Sequence, residues 1–164
     1  MGTAENYLEF VKKQFETYKL LAESAFAQTA DDKLFVQPTE DSNSIAMIVQ
    51  HMAGNMLSRW TNYMTTDGEK EWRMRDEEFE PILRTKQEMF LQWEKGWQCL
   101  FDALEGLSPS QLQETIYIRQ EAHTVLEAIN RQLTHYPYHI GQIIYLAKMF
   151  SGNWESLSIP KRRN

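Results

Sequence analysis

His135 and His139 are the residues whose type and spacing point most directly to chemistry. They stand four apart in Leu133-Thr134-His135-Tyr136-Pro137-Tyr138-His139-Ile140-Gly141-Gln142, and the chain holds four histidines in all. On an α-helix, positions i and i+4 share one face about a turn apart, so two imidazoles can reach one metal ion. Histidine pairs at this spacing also sit on helix surfaces without a metal, so the neighbours decide. With about 100° of rotation per residue, Leu126, Ile129, Leu133, Tyr136, Ile140, Ile144 and Ala147 form one apolar stripe. His135 and His139 fall on a second stripe with Ala128 and Leu146. A helix apolar on two faces is buried on both, so the histidines are expected to point into a bundle. Gln132 and Gln142 flank the pair and could hold the far ring nitrogens.

Two imidazoles need at least one further protein ligand. The candidates are His51, His123 and any carboxylate that helix packing brings near. No Asp or Glu lies on the histidine stripe, and neither His135 nor His139 has a Glu three residues before it, so the Glu-x-x-His pattern of di-iron bundles is absent. His123 reads as a loop residue before a helix cap. His51 lies beside Ile48 at the edge of an apolar face on another helix, and is the better third ligand. Cys99 has no histidine at helical spacing to activate it and reads as an incidental thiol.

Four long amphipathic segments must position these residues. The first runs from about Thr3, an N-cap candidate, to Gln28, with Tyr7, Phe10, Val11, Tyr18 and Leu21 at helical spacing. The second, about Asn43 to Thr65, carries Ile45, Ile48, Val49, Met52, Met56, Trp60 and Tyr63 beside a polar stripe of Ser44, His51, Asn55, Ser58 and Asn62. The third, about Thr85 to Glu105, opens on the capping box Thr85-Lys86-Gln87-Glu88, ends with Gly106 as its C′ residue, and bears Met89, Trp93, Trp97, Leu100 and Leu104. The fourth, about Thr124 to Phe150, opens on a second capping box, Thr124 to Glu127, and contains Pro137, which predicts a kink between the paired histidines. Ahead of it, Thr115-Ile116-Tyr117-Ile118 alternates and is β-branched, and Gln120 to His123 could turn back as a partner strand. The connection from Thr66 to Pro81 is longer than compact domains usually allow and carries Trp72 and Phe79, so it is expected to pack down. It can cross the length of a bundle, which would leave segments two and three parallel. The fold class is all-α, a four-helix bundle with a short β-hairpin before the last helix, in a single domain over residues 1–164.

Composition narrows the function. The chain has 164 residues, a net charge of −6 and one cysteine. The acidic balance argues against a nucleic-acid partner. No apolar run approaches the roughly 20 residues that span a bilayer, and no leader is apparent at the N-terminus, so no membrane role and a cytoplasmic location are expected. The one basic cluster, Lys161-Arg162-Arg163, reads as a solvated tail.

Three segments taken in order, Gln50-His51-Met52-Ala53-Gly54-Asn55, Thr65-Thr66-Asp67-Gly68-Glu69-Lys70 and His135-Tyr136-Pro137-Tyr138-His139-Ile140-Gly141-Gln142-Ile143, carry a resemblance over nearly the whole chain. The sequence resembles the DinB-like, or YfiT-like, superfamily of bacterial metalloproteins, in a subfamily marked by the Thr-Thr-Asp-Gly-Glu-Lys loop. The resemblance implies an up-down-down-up bundle. It also implies a metal triad of His51, His135 and His139, and often a homodimer.

Three neutral imidazoles leave coordination positions open, which suits catalysis better than structure. Zinc and nickel both suit imidazole, so a divalent zinc or nickel ion is the expected cofactor. The resemblance implies a small-molecule enzyme, most like an S-transferase for a low-molecular-weight thiol such as bacillithiol. Hydrolysis by a metal-bound hydroxide and a non-catalytic metal-binding or stress-response module are the alternatives. Asn55, Arg59, Trp72 and Gln142 are expected, from position, to shape the pocket. Asp67 or Glu69 could serve as a base from the loop.

Overall fold

The computed structural model describes residues 2–158; the basic cluster Lys161-Arg162-Arg163 lies outside them. Four long helices dominate: α1 (Thr3–Ala27), α2 (Ile45–Trp60), α3 (Lys86–Glu105) and α4 (Val125–Phe150). Strands β1 (Thr115–Ile118) and β2 (Glu121–Thr124) form an antiparallel hairpin ahead of α4. Short 3₁₀ turns at Asp31–Phe35, Asp76–Phe79 and Pro109–Gln113 fill the connections.

Local chemistry sets most helix ends. Thr85 and Thr124 each accept from the backbone N–H three residues on, while Glu88 and Glu127 reach back to the cap, so both expected boxes form. Three ends differ from the sequence reading. Gly2 is the N-cap of α1, and Thr3 is its first helical residue. Helix α2 stops at Trp60 instead of near Thr65, because Asn62 turns to φ 49 and its carbonyl accepts the N–H groups of Thr65 and Thr66. Gly106 closes α3 at φ −73, so no left-handed cap is used there.

Cross-helix contacts give the helix directions. Ala53 meets Gly96 and Thr61 meets Cys99, so α2 and α3 run parallel. Tyr7 bonds Asn130 and Phe15 packs on Tyr136, so α1 and α4 are parallel too. Phe15 meets Trp97 while Phe26 meets Phe90, and His51 meets His139 while Asn55 meets Tyr136; both of these pairings are antiparallel. The order is up-down-down-up, as the long α2–α3 connection predicts. At Gly96 an added Cβ would lie 2.9 Å from the Ala53 Cα, so glycine permits the close approach of α2 and α3.

The core is aromatic between α1 and α3, where Phe15, Phe26, Trp93 and Trp97 are buried. Helix α4 is buried on both predicted faces: Ile129, Tyr136 and Ile140 on one, Ala128 and Leu146 on the other. It runs unbroken through Pro137. Cys99 is half-buried against Thr61 of α2, and burial pushes its thiol pKa up. His123, read both as part of a possible partner strand and as a loop residue before the cap, lies in β2 and pairs with Ile116. Among the described residues no helix is long and apolar enough to cross a membrane.

Candidate metal centre

The polar stripe of α2 faces inward. Ser44, His51, Asn55 and Ser58 are buried, with Arg59 beside them, so along the helix the stripe is an interior wall and not a solvent face; Asn62, past the end of α2, is exposed. Across from it, α4 presents His135 and His139 one turn apart, and the helix carries both past Pro137 without separating them. The three histidines meet: one ring nitrogen of each lies within 4.8 Å of the others, and His135 Nε2 is 3.0 Å from His139 Nε2. The His51 ring centroid lies 5.6 Å from that of His135 and 4.8 Å from that of His139. His123, the competing candidate, is not part of this group.

Two of the three outer nitrogens are held. His51 Nδ1 lies 2.9 Å from Glu78 Oε2, and His139 Nδ1 lies 2.8 Å from Gln142 Oε1. A ring N–H donated to a carboxylate or amide oxygen fixes the tautomer that leaves Nε2 with its lone pair. Gln142 therefore acts as expected on the ring, although it does not line the cavity beside the triad. Gln132 does line that cavity, and its Oε1 is buried without a partner.

Glu78 was not foreseen. It sits in the 3₁₀ turn of the long connection, outside any periodic pattern, and is buried. Arg73 holds it with two bonds of 2.7 and 2.8 Å. Burial opposes its ionisation, but the His51 hydrogen bond and the Arg73 pair together outweigh that and hold its carboxyl below the ordinary value. Gly54 makes the space: a Cβ there would lie 2.2 Å from Glu78 Oε1. The only hint in the sequence is a glycine one turn beyond His51 on α2. Phe79, next in the chain, stacks on the His51 ring at 4.8 Å. So the connection does pack down, but through Glu78 and Phe79. Trp72, expected in the pocket, is 56% exposed and lines a separate depression with Gln92.

Burial pushes the His135 pKa down to about 4, with the like charges of His139 and His51 adding to it. Burial also lowers that of His139, against the Gln142 hydrogen bond. Both rings are therefore neutral at pH 7, the state in which imidazole binds a metal. The donor set fits a divalent ion: three nitrogen ligands, two with oriented rings, meet beside a cavity of about 560 Å³ that Asn55 and Arg59 also line.

The Thr-Thr-Asp-Gly-Glu-Lys loop braces this wall. Asp67 accepts the N–H groups of Glu69, Arg119 and Gln120 at 2.7–2.8 Å. The latter two residues form the hairpin turn at φ 55 and 65, a left-handed pair that side chains rarely adopt. The Gly68 carbonyl accepts from Ser58 and Arg59. Glu69 bonds Arg59, Arg73 and Arg119. Asp67 and Glu69 are thus committed to holding the loop and the arginines, and neither is placed as the free base that the sequence suggested.

No curated protein matches the chain. A comparison with known families matches residues 2–163 to one described as a protein of unknown function. The chain belongs to that family, DUF1572.

Proposed function

We propose that His51, His135 and His139 hold one divalent ion, zinc or nickel, in a metal-dependent enzyme that works on a low-molecular-weight thiol. One observation carries the reading. The Nδ1 atoms of His51 and His139 are engaged at 2.9 and 2.8 Å by Glu78 and Gln142, which leaves the other nitrogen of each available where the three rings meet. Among the described residues the group contains three donors and no fourth, the pattern of an open site and not of a closed structural one.

Such an ion, when bound, supplies a Lewis acid that keeps a thiol ionised, or a water acidic, near neutral pH. The chain's own part is positional. Glu78 and Gln142 orient two rings, and Phe79 covers one face of His51. Among the described residues no carboxylate lines the cavity, so none stands there as a base for water or as the proton donor that an ester or amide leaving group needs. This favours a thiol, which once ionised needs no base: a sulfur–carbon bond forms, the leaving group departs with its electron pair, and the thiol proton goes to solvent. The resemblance to DinB-like, or YfiT-like, metalloproteins supports the same reading, with bacillithiol as the natural first cosubstrate.

The test joins metal analysis to an assay. The wild-type protein should carry zinc or nickel in a ratio near one per chain, and His139→Ala should lose it. The wild type should then join bacillithiol to a chlorinated nitroaromatic faster than His51→Ala does. Equal, near-zero metal in both proteins would remove the site. Ester or amide turnover without thiol would replace transfer with hydrolysis, and metal without turnover of either would leave a binding module.

A further inference from the structure

Arginine is unevenly distributed in this acidic chain. Residues 2–158 contain six arginines, and all but Arg84 line the cavity beside the three histidines; no lysine does. Arg59 and Arg73 are buried in its wall, while Arg75, Arg119 and Arg131 are exposed around it. Against these five guanidinium groups stand the two carboxylates they pair with, Glu69 and Glu78. Arg75 and Arg131 make no ion pair among the described residues. Arg59 adds an independent sign. Its side chain is 4% exposed, yet its Nε–H is buried without an acceptor. A buried donor left unpaired is costly, and a ligand oxygen would satisfy it.

We propose that this cavity binds a small organic anion, bearing a carboxylate or phosphate group, through Arg75 and Arg131, with Arg59 Nε–H as a deeper donor. Guanidinium forks match both anions with paired hydrogen bonds. Clustered positive charge on a negative protein also draws such a ligand selectively to this face. The arginines and the histidines share one cavity, so the anionic group anchors a molecule whose reactive atom reaches the histidine triad. That last step rests on the catalytic reading above; the anion site itself does not.

Calorimetric titration of the full chain with inorganic phosphate, and separately with succinate, tests it. The titrations are run on zinc-loaded and on chelator-treated protein, at low and high salt. Saturable binding of at least one anion is expected, and it should weaken as salt screens the arginines. The double variant Arg75→Gln/Arg131→Gln, altered at two exposed positions, should bind at least about tenfold more weakly, as two lost charge-assisted contacts require, and keep wild-type zinc content. His139→Ala should lose zinc and still bind the anion. Tighter phosphate binding assigns a phosphate ester, and tighter succinate binding a carboxylic acid. No saturable binding of either anion by the wild type would overturn the proposal. So would unchanged affinity in the double variant, whatever the metal analysis shows.

Discussion

The two sides of the bundle are built on different principles. Between α1 and α3 the contact is aromatic: Phe26 packs on Trp93 at 5.2 Å, and Phe15 on Trp97 at 6.3 Å. Between α2 and α4 the buried residues are polar: His51, Asn55, Arg59 and Gln132. Tyr136 joins the two. Its ring lies 5.8 Å from Phe15 and 5.9 Å from Trp97, while its hydroxyl donates to Asn55 Oδ1 and accepts from Trp60 Nε1. The aromatic side is packed by the helices themselves, although Trp97 Nε1 is left without an acceptor. The polar side is not; its partners come from the 66–81 connection, through Gly68, Glu69, Arg73 and Glu78. Stability therefore resides on one side and pre-arranged chemistry on the other, and the long connection is a structural part of the site.

The contrast can be broken from either side. Trp97→Ala should have the largest effect, about 3–5 kcal/mol of unfolding free energy, because a fully buried ring leaves a cavity. The loss should appear in urea denaturation with the histidine site's metal content unchanged in the folded protein. A loss below about 1 kcal/mol would mean the aromatic wall is not the main support.

Glu78→Ala should cost somewhat less, about 3 kcal/mol, since it strands the buried Arg73 with only Glu69, at 3.4 Å, as its partner. It should also lower zinc affinity by about 10- to 100-fold through the freed His51 ring. Wild-type zinc affinity in this variant would show that His51 is held by α2 packing alone.

The smallest effect is a pH dependence. The folded pKa of His135 is near 4 and its ordinary value is 6.5, so between these values the unfolded chain binds more protons than the folded one. The stability it contributes is complete above about pH 6.5 and is lost as pH falls toward 4. In metal-free protein the thermal midpoint should therefore fall between pH 7 and 4.5 more steeply for wild type than for His135→Asn. Parallel curves would mean that burial of this ring is not what depresses its titration.

Much of this was legible in the residues. Capping boxes at Thr85 and Thr124 and apolar periodicity mark the helices to within a residue or two at most ends, because caps and stripes are local. The i, i+4 spacing brings His135 and His139 together on any helix, and Pro137 does not undo it. The polar stripe of α2 was visible too, but whether it faced water or an interior depended on what packed against it. Phe79 was expected to pack down, but its stacking on His51, Glu78 and the arginine lining were not legible. His51 and Glu78 lie 27 residues apart, and the second belongs to a connection without repeat or period.

The sequence alone determined the four helices and the histidine pair, since each follows from interactions within a turn or two of chain, and the length of the 66–81 connection pointed to the helix order. His51 was already the expected third ligand; only the tertiary structure decided that a buried carboxylate aligns it and that arginines surround the group. Those placements depend on which distant atoms satisfy one another's buried charge and hydrogen bonds, and no local pattern encodes that.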